Sequence, residues 1–224
     1  METLNTMNTQ QIIDEAYSLY MPQVRSEIEQ LFEFVKVHRH NALTTGKQES
    51  YNILEIGTKY GGTLHLWCSL NPTPGLNISI DMSDGGIHGG IGDELMDLRD
   101  ERFTERFDNV HFIRGDSHSI QVHGDCFRLL EKWNTADRIG KASFDFLFID
   151  GDHSYEGIKQ DFLMYSPFCK PGSIIAFHDI NDSERHRSRN VYVSKFWNEI
   201  KDEYEHYEFN AHEDWAGIGV IVKK

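Results

Sequence analysis

Residues 144–155 read FDFLFIDGDHSY, and this stretch decides the fold. Its apolar run from Phe146 to Ile149 ends abruptly in Asp150, Asp152 and His153. A short apolar run followed by turn residues predicts a buried strand of a parallel sheet. Ligands of open α/β sheets bind just beyond the carboxyl ends of such strands. Three titratable side chains there predict a metal site or an acid/base pair, although one of them could merely cap the next helix.

A second apolar run, SIIAFHD at residues 173–179, repeats this pattern. It follows the turn pair Pro171-Gly172 and ends in His178 and Asp179. If the two predicted strands are neighbours, Asp150, His178 and Asp179 can bind one divalent cation. Carboxylates favour magnesium, manganese or calcium, whereas an imidazole in the set favours manganese, iron, cobalt or zinc. A packing role for His178 and a turn-capping role for Asp179 stay open as alternatives.

Composition restricts the classes to which this chain of 224 residues can belong. The length suits one domain with a full core, and no apolar run approaches the roughly 18 residues of a membrane span. The start of the chain lacks the features of a signal peptide, and three cysteines without motif spacing predict reduced thiols in a cytoplasmic protein. A net charge of −14 argues against nucleic-acid and membrane partners. It favours a neutral, cationic or metal-bridged small molecule.

The periodicity of apolar residues predicts helices first and then alternating strands and helices. Helices are predicted over residues 10–40 with a break at Pro22, followed by a polar loop from His38 to Ser50. The final two strands, Tyr204 to Asn210 and Ile218 to Lys223, are separated only by a loop, which predicts an antiparallel hairpin. The predicted fold class is α/β, with a doubly wound, mostly parallel seven-stranded sheet and this C-terminal hairpin.

The turn after the first predicted strand reads LEIGTKYGGT at residues 54–63. Gly57 permits a tight turn and a close approach of a ligand to the backbone. The spacing G-x-x-x-G-G differs from the dinucleotide fingerprint G-x-G-x-x-G. The acid Glu55 would repel a pyrophosphate and attract an amino group. The turn therefore favours a cofactor that carries an amino acid over a dinucleotide.

Acids also follow the second and third predicted strands. Asp81 ends the second strand, where an acid can accept both ribose hydroxyls of a nucleoside. Asp116 and Ser117 follow the third strand and are suited to hydrogen bonds with an adenine edge. Each of these residues is also common in ordinary turns. Their order along the chain nevertheless predicts a nucleoside site across three strand ends.

The motifs resemble those of class I S-adenosylmethionine-dependent methyltransferases, and the resemblance covers roughly residues 50–222, the extent of one α/β domain. The chain is most similar to the subgroup of cephalosporin-hydroxylase-like proteins and macrolide-sugar O-methyltransferases, which keep a divalent metal as catechol O-methyltransferase does. This resemblance implies a methyltransferase domain at residues 46–224, and the helices predicted at residues 1–45 are expected to act as a lid or a dimer contact. The resemblance rests on the segments EIGTKYGGT, SID, GDS, FIDGDH and AFHD and on the glycine-rich loop GGIHGGIG at residues 85–92.

The resemblance also implies a role for each residue of the cofactor site. Glu55 would bind the methionyl amino group, directly or through water, and Asp81 would bind the ribose. The other residues would make room for the cofactor, hold its carboxylate or flank its adenine: Gly57 and Gly61, Thr63, and Asp116 with Ser117.

For the catalytic centre, the resemblance implies that Asp150 and Asp179 are metal ligands and that His153 is the general base. His178 stands where related enzymes often carry a carboxylate or an amide, so the ligand set and the metal stay open between magnesium and a transition metal. The expected activity is metal-dependent methyl transfer from S-adenosylmethionine to a hydroxyl of a sugar, diol or catechol-like small molecule. The segments Asp81 to Phe103 and Asn181 to Asn190 are expected to be loops that cover the acceptor.

Other functions are compatible with the same residues. A metal-dependent hydroxylase or hydrolase could use this fold, because fold does not determine function. A nicotinamide-dependent oxidoreductase is disfavoured by the glycine spacing. A non-catalytic S-adenosylmethionine-binding protein would not need the acids and the histidine at residues 150–179. A homo-oligomer is also compatible with the sequence.

Overall fold

The computed structural model describes residues 7–44, 50–84, 90–133, 142–211 and 215–224. Seven strands lie within these ranges: Asn52–Ile56 (β1), Leu76–Asp81 (β2), Val110–Arg114 (β3), Phe144–Ile149 (β4), Cys169–His178 (β5), Glu205–Phe209 (β6) and Ile218–Val222 (β7). They form one sheet in the order β3-β2-β1-β4-β5-β7-β6. Strands β1 to β5 are parallel, and β7 runs antiparallel between β5 and β6. The predicted fold class is therefore confirmed, including the C-terminal hairpin.

The α-helices of the described ranges are Thr9–Ser18 (α1), Arg25–Thr44 (α2), Gly62–Leu70 (α3), Asp93–Arg106 (α4), Ile120–Trp133 (α5), Tyr155–Tyr165 (α6), Glu184–Ser188 (α7) and Val193–Ile200 (α8). One face of the sheet packs against α5, α6 and α8, and the other packs against α1, α2 and α3. None of the described helices is long and apolar enough to cross a membrane.

The N-terminal helices are part of the layer that covers the sheet. Ile13 of α1 and Ile28 of α2 are fully enclosed in the same apolar cluster as Phe146 of β4. The buried carboxylate of Glu27 accepts the backbone N–H of Ala211 at 2.8 Å and of Gly217 at 2.9 Å. These contacts join α2 to the segment before β7, while the lid or dimer role of residues 1–45 stays a prediction.

Two predicted loops are wrong, because helices occupy them. The segment after Asp81 contains α4, whose buried side chains include Met96, Arg99 and Phe103. Helix α2 continues through the predicted loop to Thr44. His38 on this part of α2 contacts the Tyr51 hydroxyl at 2.7 Å and a backbone oxygen of β5 at 2.8 Å. Tertiary contacts thus stabilise helical turns that carry few apolar residues.

Two further boundaries differ from the expectation. The sequence predicts Pro171-Gly172 as a turn before the fifth strand, but β5 begins at Cys169 and includes both residues. The pairing of β4 with β5 shifts register in this region, and Gly172 has a φ of 88°. The expected loop from Asn181 to Asn190 contains the short helix α7. Neither difference changes where β4 and β5 end, so Asp150 and His178 lie on adjacent strand ends as predicted.

Candidate active site

A cavity of about 790 Å³ opens at the carboxyl edge of the parallel strands. Its wall is formed by the turns after β1 to β5, the connection between α1 and α2, and α7. Glu55 and Gly61 are not part of this wall. The predicted site residues that line it are Gly57, Thr63, Asp81, Asp116, Ser117, Asp150, His153, His178 and Asp179.

Gly57 is required by the geometry of the turn after β1. Its φ is 88°, a left-handed conformation that favours glycine. A Cβ atom at this position would lie 2.1 Å from the backbone oxygen of Asp150. Glycine therefore allows the turns after β1 and β4 to touch at the floor of the cavity.

Gly61 caps the start of α3 and does not line the cavity. It is the N-cap of this helix with a φ of 90°. A Cβ atom would lie 2.7 Å from the Phe103 ring, so the glycine makes room for α4. Thr63, two residues later, is buried and lines the cavity. The predicted cofactor contact of Gly61 stays a prediction.

Glu55 is a fully buried carboxyl group behind the cavity wall. Burial raises its pKa to about 8, and the charge of Asp150 adds to this effect. The side chains of Thr58, Thr63 and Trp67 lower the pKa in part. Within the described ranges, neither carboxyl oxygen has a hydrogen bond of ordinary length and angle. Glu55 can therefore still accept a donor or stabilise a cation.

Asp81 is held in place by three donors. Its Oδ2 accepts from the backbone N–H of Lys59 at 2.8 Å and from Arg99 Nη1 at 2.6 Å. Its Oδ1 accepts from the backbone N–H of Met82 at 3.0 Å. Arg99 also donates to the Lys59 carbonyl at 2.6 Å, so it braces the turn after β1 as well. The acid predicted to bind ribose is thus positioned by a residue of α4.

The turn after β3 presents Asp116 and Ser117 to the cavity together with His118. Asp116 Oδ1 accepts the backbone N–H of His118 at 2.9 Å, which closes the turn. His118 Nε2 lies 3.3 Å from a carboxylate oxygen of the buried Asp161. A hydrogen bond to Asp161 raises the pKa of His118. His118 lines the cavity beside the residues that the sequence predicts for adenine.

The acids and histidines that follow β4 and β5 contact one another. Asp179 Oδ2 lies 2.7 Å from His153 Nδ1, and Asp179 Oδ1 lies 3.3 Å from His178 Nδ1. Asp150 Oδ1 lies 3.1 Å from His178 Nδ1 and 3.6 Å from His153 Nε2. We call these four side chains, Asp150, His153, His178 and Asp179, the acid–histidine cluster.

The charges in this cluster depend on one another. Burial raises the pKa of Asp179, but the charge of His178 and hydrogen bonds from His153 and His178 outweigh it and hold this pKa well below its ordinary value. Burial lowers the pKa of His153, but the hydrogen bond to Asp179 and the charge of Asp150 outweigh it and raise the pKa. A cation that binds here would compete with the protons of these histidines.

The donor set fits a divalent cation. Asp150, His153 and His178 offer ligand atoms that lie within 4.8 Å of one another. His178 Nε2 is buried and has no hydrogen-bond partner in the part of the chain that the structure describes. One carboxylate with two imidazoles suits manganese, iron, cobalt or zinc better than magnesium. Asp179, a ligand in the predicted set, contacts His153, His178 and His186, and its ligand role stays a prediction.

Gln23 and His186 contact the acid–histidine cluster and have no counterpart among the sequence predictions. Gln23, in the connection between α1 and α2, donates from Nε2 to Asp150 Oδ2 at 2.8 Å. His186 on α7 is buried, and its Nε2 lies 3.4 Å from Asp179 Oδ1. Gln23 carries no sequence signal, since an isolated glutamine near a proline is ordinary. The glycine-rich loop that supports the resemblance lies in part, at residues 85–89, outside the described residues.

Known proteins share this sequence pattern and this fold. Residues 54–180, more than half of the chain, match the family described as methyltransferase domain. The protein y4gI of Sinorhizobium fredii is 27% identical over 158 residues, which are 66% of this chain. The chain spans only 15% of the length of that relative.

Solved structures of low sequence identity show the same fold. The O-methyltransferase TomG from Streptomyces achromogenes has a TM-score of 0.61 at 15% identity, over 98% of this chain and 92% of TomG. The O-methyltransferase from Bacillus cereus has a TM-score of 0.58 at 16% identity, over 97% of this chain and 93% of that protein. The resemblance drawn from the motifs is thus confirmed at the level of the family. The chain belongs to the methyltransferase domain family.

Proposed function

We propose that the protein transfers a methyl group from S-adenosylmethionine to a hydroxyl of a small molecule. The observation that carries this proposal is that one cavity joins the Gly57 turn to the acid–histidine cluster. TomG was solved with S-adenosylmethionine and the Bacillus cereus enzyme with S-adenosylhomocysteine, and both are O-methyltransferases of this fold. Their ligands support the same cofactor for this chain.

The cofactor lies across the ends of β1 to β3 in this proposal. Gly57 and Thr63 line the part of the cavity that receives the methionyl group, and Glu55 stabilises its amino group directly or through water. Asp81 accepts from the ribose, for which its position between Lys59 and Arg99 is already fixed. Asp116 and Ser117 flank the adenine.

His153 is the general base in this proposal. Its Nδ1 lies 2.7 Å from Asp179, which orients the imidazole, and its Nε2 lies on the side of Asp150. A positioned imidazole of this kind accelerates proton transfer by roughly 10²- to 10⁴-fold. Of the three residues whose ligand atoms lie close together, Asp150 and His178 would hold a divalent cation in this proposal, and His153 would act as the base. The cation would lower the pKa of an acceptor hydroxyl and orient a vicinal diol or catechol.

Three measurements test the proposal in sequence. Calorimetry should detect binding of S-adenosylhomocysteine, and mass spectrometry should detect methyl transfer to members of a sugar and catechol library. Activity should fall after chelation and return when manganese or magnesium is added. No binding at millimolar S-adenosylhomocysteine would overturn the cofactor assignment, and full activity after exhaustive chelation would overturn the metal alone.

A further inference from the structure

Helix α7 forms a firmly held wall of the cavity beside the acid–histidine cluster. His186 Nε2 accepts the backbone N–H of Ala216 at 3.1 Å. The proton must therefore sit on Nδ1, which donates to the Asn181 carbonyl at 2.6 Å. The Ser183 side chain caps the helix by accepting the backbone N–H of His186. These bonds tie α7 to the segment after β5 and to the segment before β7.

Two arginines on either side of His186 line the cavity, and neither has a carboxylate partner among the residues that the structure describes. Neither Arg185 nor Arg189 makes a side-chain hydrogen bond or an ion pair in the described ranges. The neighbouring Arg187 differs, because it pairs with Asp182 at 2.5 Å and does not line this cavity. Six arginines in these ranges pair with acids: Arg25, Arg99, Arg106, Arg114, Arg128 and Arg187.

In this chain of 36 acidic and 22 basic residues, four arginines form no ion pair within the described ranges, and of these four Arg185 and Arg189 line the cavity. Two acids of the cavity wall, Asp150 and Asp179, already have partners. Asp150 accepts from Gln23, and Asp179 faces His153. Among the described residues, the positive charges of Arg185 and Arg189 have no acid partner and face the cavity, where a ligand can bind them.

Trp215 orients one of these arginines. The Arg185 guanidinium lies over its indole ring, with Cζ 4.6 Å from the ring centroid. Stacking uses the face of the guanidinium and leaves the N–H groups around its edge able to donate. A planar fork of donors that is held in this way suits the paired oxygens of a carboxylate or a phosphate.

We infer that the methyl acceptor carries an anionic group, a carboxylate or a phosphate, which Arg185 and Arg189 bind while its hydroxyl faces the acid–histidine cluster. This inference rests on the proposed function, since it names the substrate class of the same site. It differs from the expectation, drawn from net charge, of a neutral, cationic or metal-bridged small molecule. Net charge describes the whole surface, whereas recognition depends on the few charges that face the ligand.

Matched pairs of ligands test the inference and do not require the natural acceptor. The protein is saturated with S-adenosylhomocysteine, and ligand-observed NMR measures the Kd of catechol against 3,4-dihydroxybenzoate and of glucose against glucose 6-phosphate. We expect at least one anionic ligand to bind roughly tenfold or more tightly than its neutral partner, and we expect this preference to decrease at high salt. The pair that shows the preference distinguishes a carboxylate from a phosphate.

Variants assign the preference to the two arginines. Arg185→Gln/Arg189→Gln should abolish it, while Arg187→Gln, on the same helix, should retain it. Unchanged affinity for S-adenosylhomocysteine shows that the double variant is folded, and Arg185→Lys, which keeps the charge without the fork, should weaken the preference only in part. Equal binding within both pairs, no binding of either pair, or a preference that persists in the double variant would overturn the inference. Failure of the wild type to bind S-adenosylhomocysteine would instead overturn the proposed function.

Discussion

At the ends of β1 to β3, the cavity wall consists of backbone turns and of side chains with fixed partners, whereas at the ends of β4 and β5 it consists of ionisable side chains that contact one another. Gly57 and Asp81 represent the first end, where shape and one ion pair with Arg99 define the wall. His153 and Asp179 represent the second end, where each pKa depends on the neighbouring charge. Substitutions at the first end should change binding and stability, and those at the second should change rate.

The largest expected effect is that of His153→Ala. Loss of the general base should lower kcat by roughly 10²- to 10⁴-fold, measured in single turnover with an acceptor from the library. Affinities for S-adenosylhomocysteine and for metal should change little, because neither needs that proton. His40→Ala, on the exposed part of α2, is the control. Loss of metal binding in His153→Ala would assign this residue to the ligand set instead.

Gly57→Ala tests whether close backbone contact determines cofactor binding at the ends of β1 to β3. Gly172 has the same φ of 88°, but no atom lies within 4 Å of the point that its Cβ would occupy, so it isolates the conformational cost. Gly172→Ala should cost about 1 kcal/mol of unfolding free energy. Gly57→Ala should cost roughly 3 kcal/mol or more and abolish cofactor binding, because its Cβ would meet the Asp150 backbone. Equal losses of unfolding free energy for Gly57→Ala and Gly172→Ala in denaturant titrations would show that the turns after β1 and β4 separate easily.

Asp81→Ala should weaken the binding of S-adenosylhomocysteine by roughly 1.5–3 kcal/mol, the cost of one good charged hydrogen bond. It also leaves the buried Arg99 without this carboxylate, so some loss of stability is expected. Calorimetry measures the loss of cofactor affinity, and denaturant titration measures the loss of stability. Asp97→Ala removes an exposed acid of α4 and should leave cofactor affinity unchanged. Unaltered affinity in Asp81→Ala would exclude the ribose role.

The raised pKa of Glu55 predicts that the stability of the protein depends on pH. Its pKa of about 8 in the folded chain exceeds the ordinary value of 4.5, so the folded state holds this proton more tightly than the unfolded state. Its contribution to stability is complete below pH 4.5 and is lost as the pH rises to about 8, by at most roughly 1.4 kcal/mol per pH unit. Glu55→Gln, which cannot ionise, should flatten this dependence in denaturant titrations. The control Glu94→Gln, at an exposed position, should leave the pH dependence of stability unchanged. An unchanged pH dependence in Glu55→Gln would contradict the assignment of this effect to Glu55.

The smallest expected effect is that of Gln23→Ala. Its amide positions Asp150 through one hydrogen bond, whose loss should lower kcat by less than about tenfold without changing cofactor affinity. Gln23→Glu should be slower than Gln23→Ala, because a second carboxylate would face Asp150. Gln30→Ala, a change on the outer side of α2, serves as the control. A shift in cofactor affinity with kcat unchanged would place Gln23 outside the catalytic end.

The strands are predictable because the apolar runs of the sheet are short and end in turn residues. The apolar run from Phe146 to Ile149 lies within β4, and the two predicted strands of the hairpin agree with β6 and β7 to within one residue at each end. Helix α4 escapes prediction because its sequence, DELMDLRDERFTER, buries only Met96, Arg99 and Phe103. Such a helix is stabilised by contacts with α3 and β3 that periodicity does not reveal.

By itself, the sequence determined the fold class and the strand ends where chemistry-bearing residues gather. Parallel strands must bring their carboxyl ends to one edge, so the turn at Gly57, Asp81 and the residues after β4 and β5 had to share a cavity. Only the tertiary structure decided what each side chain contacts. Gln23 reaches Asp150 across 127 positions of chain, and α7 brings Arg185 to Trp215, because packing distant helices on the sheet sets these distances. The charge and the partner of each group follow from those distances, which no local pattern contains.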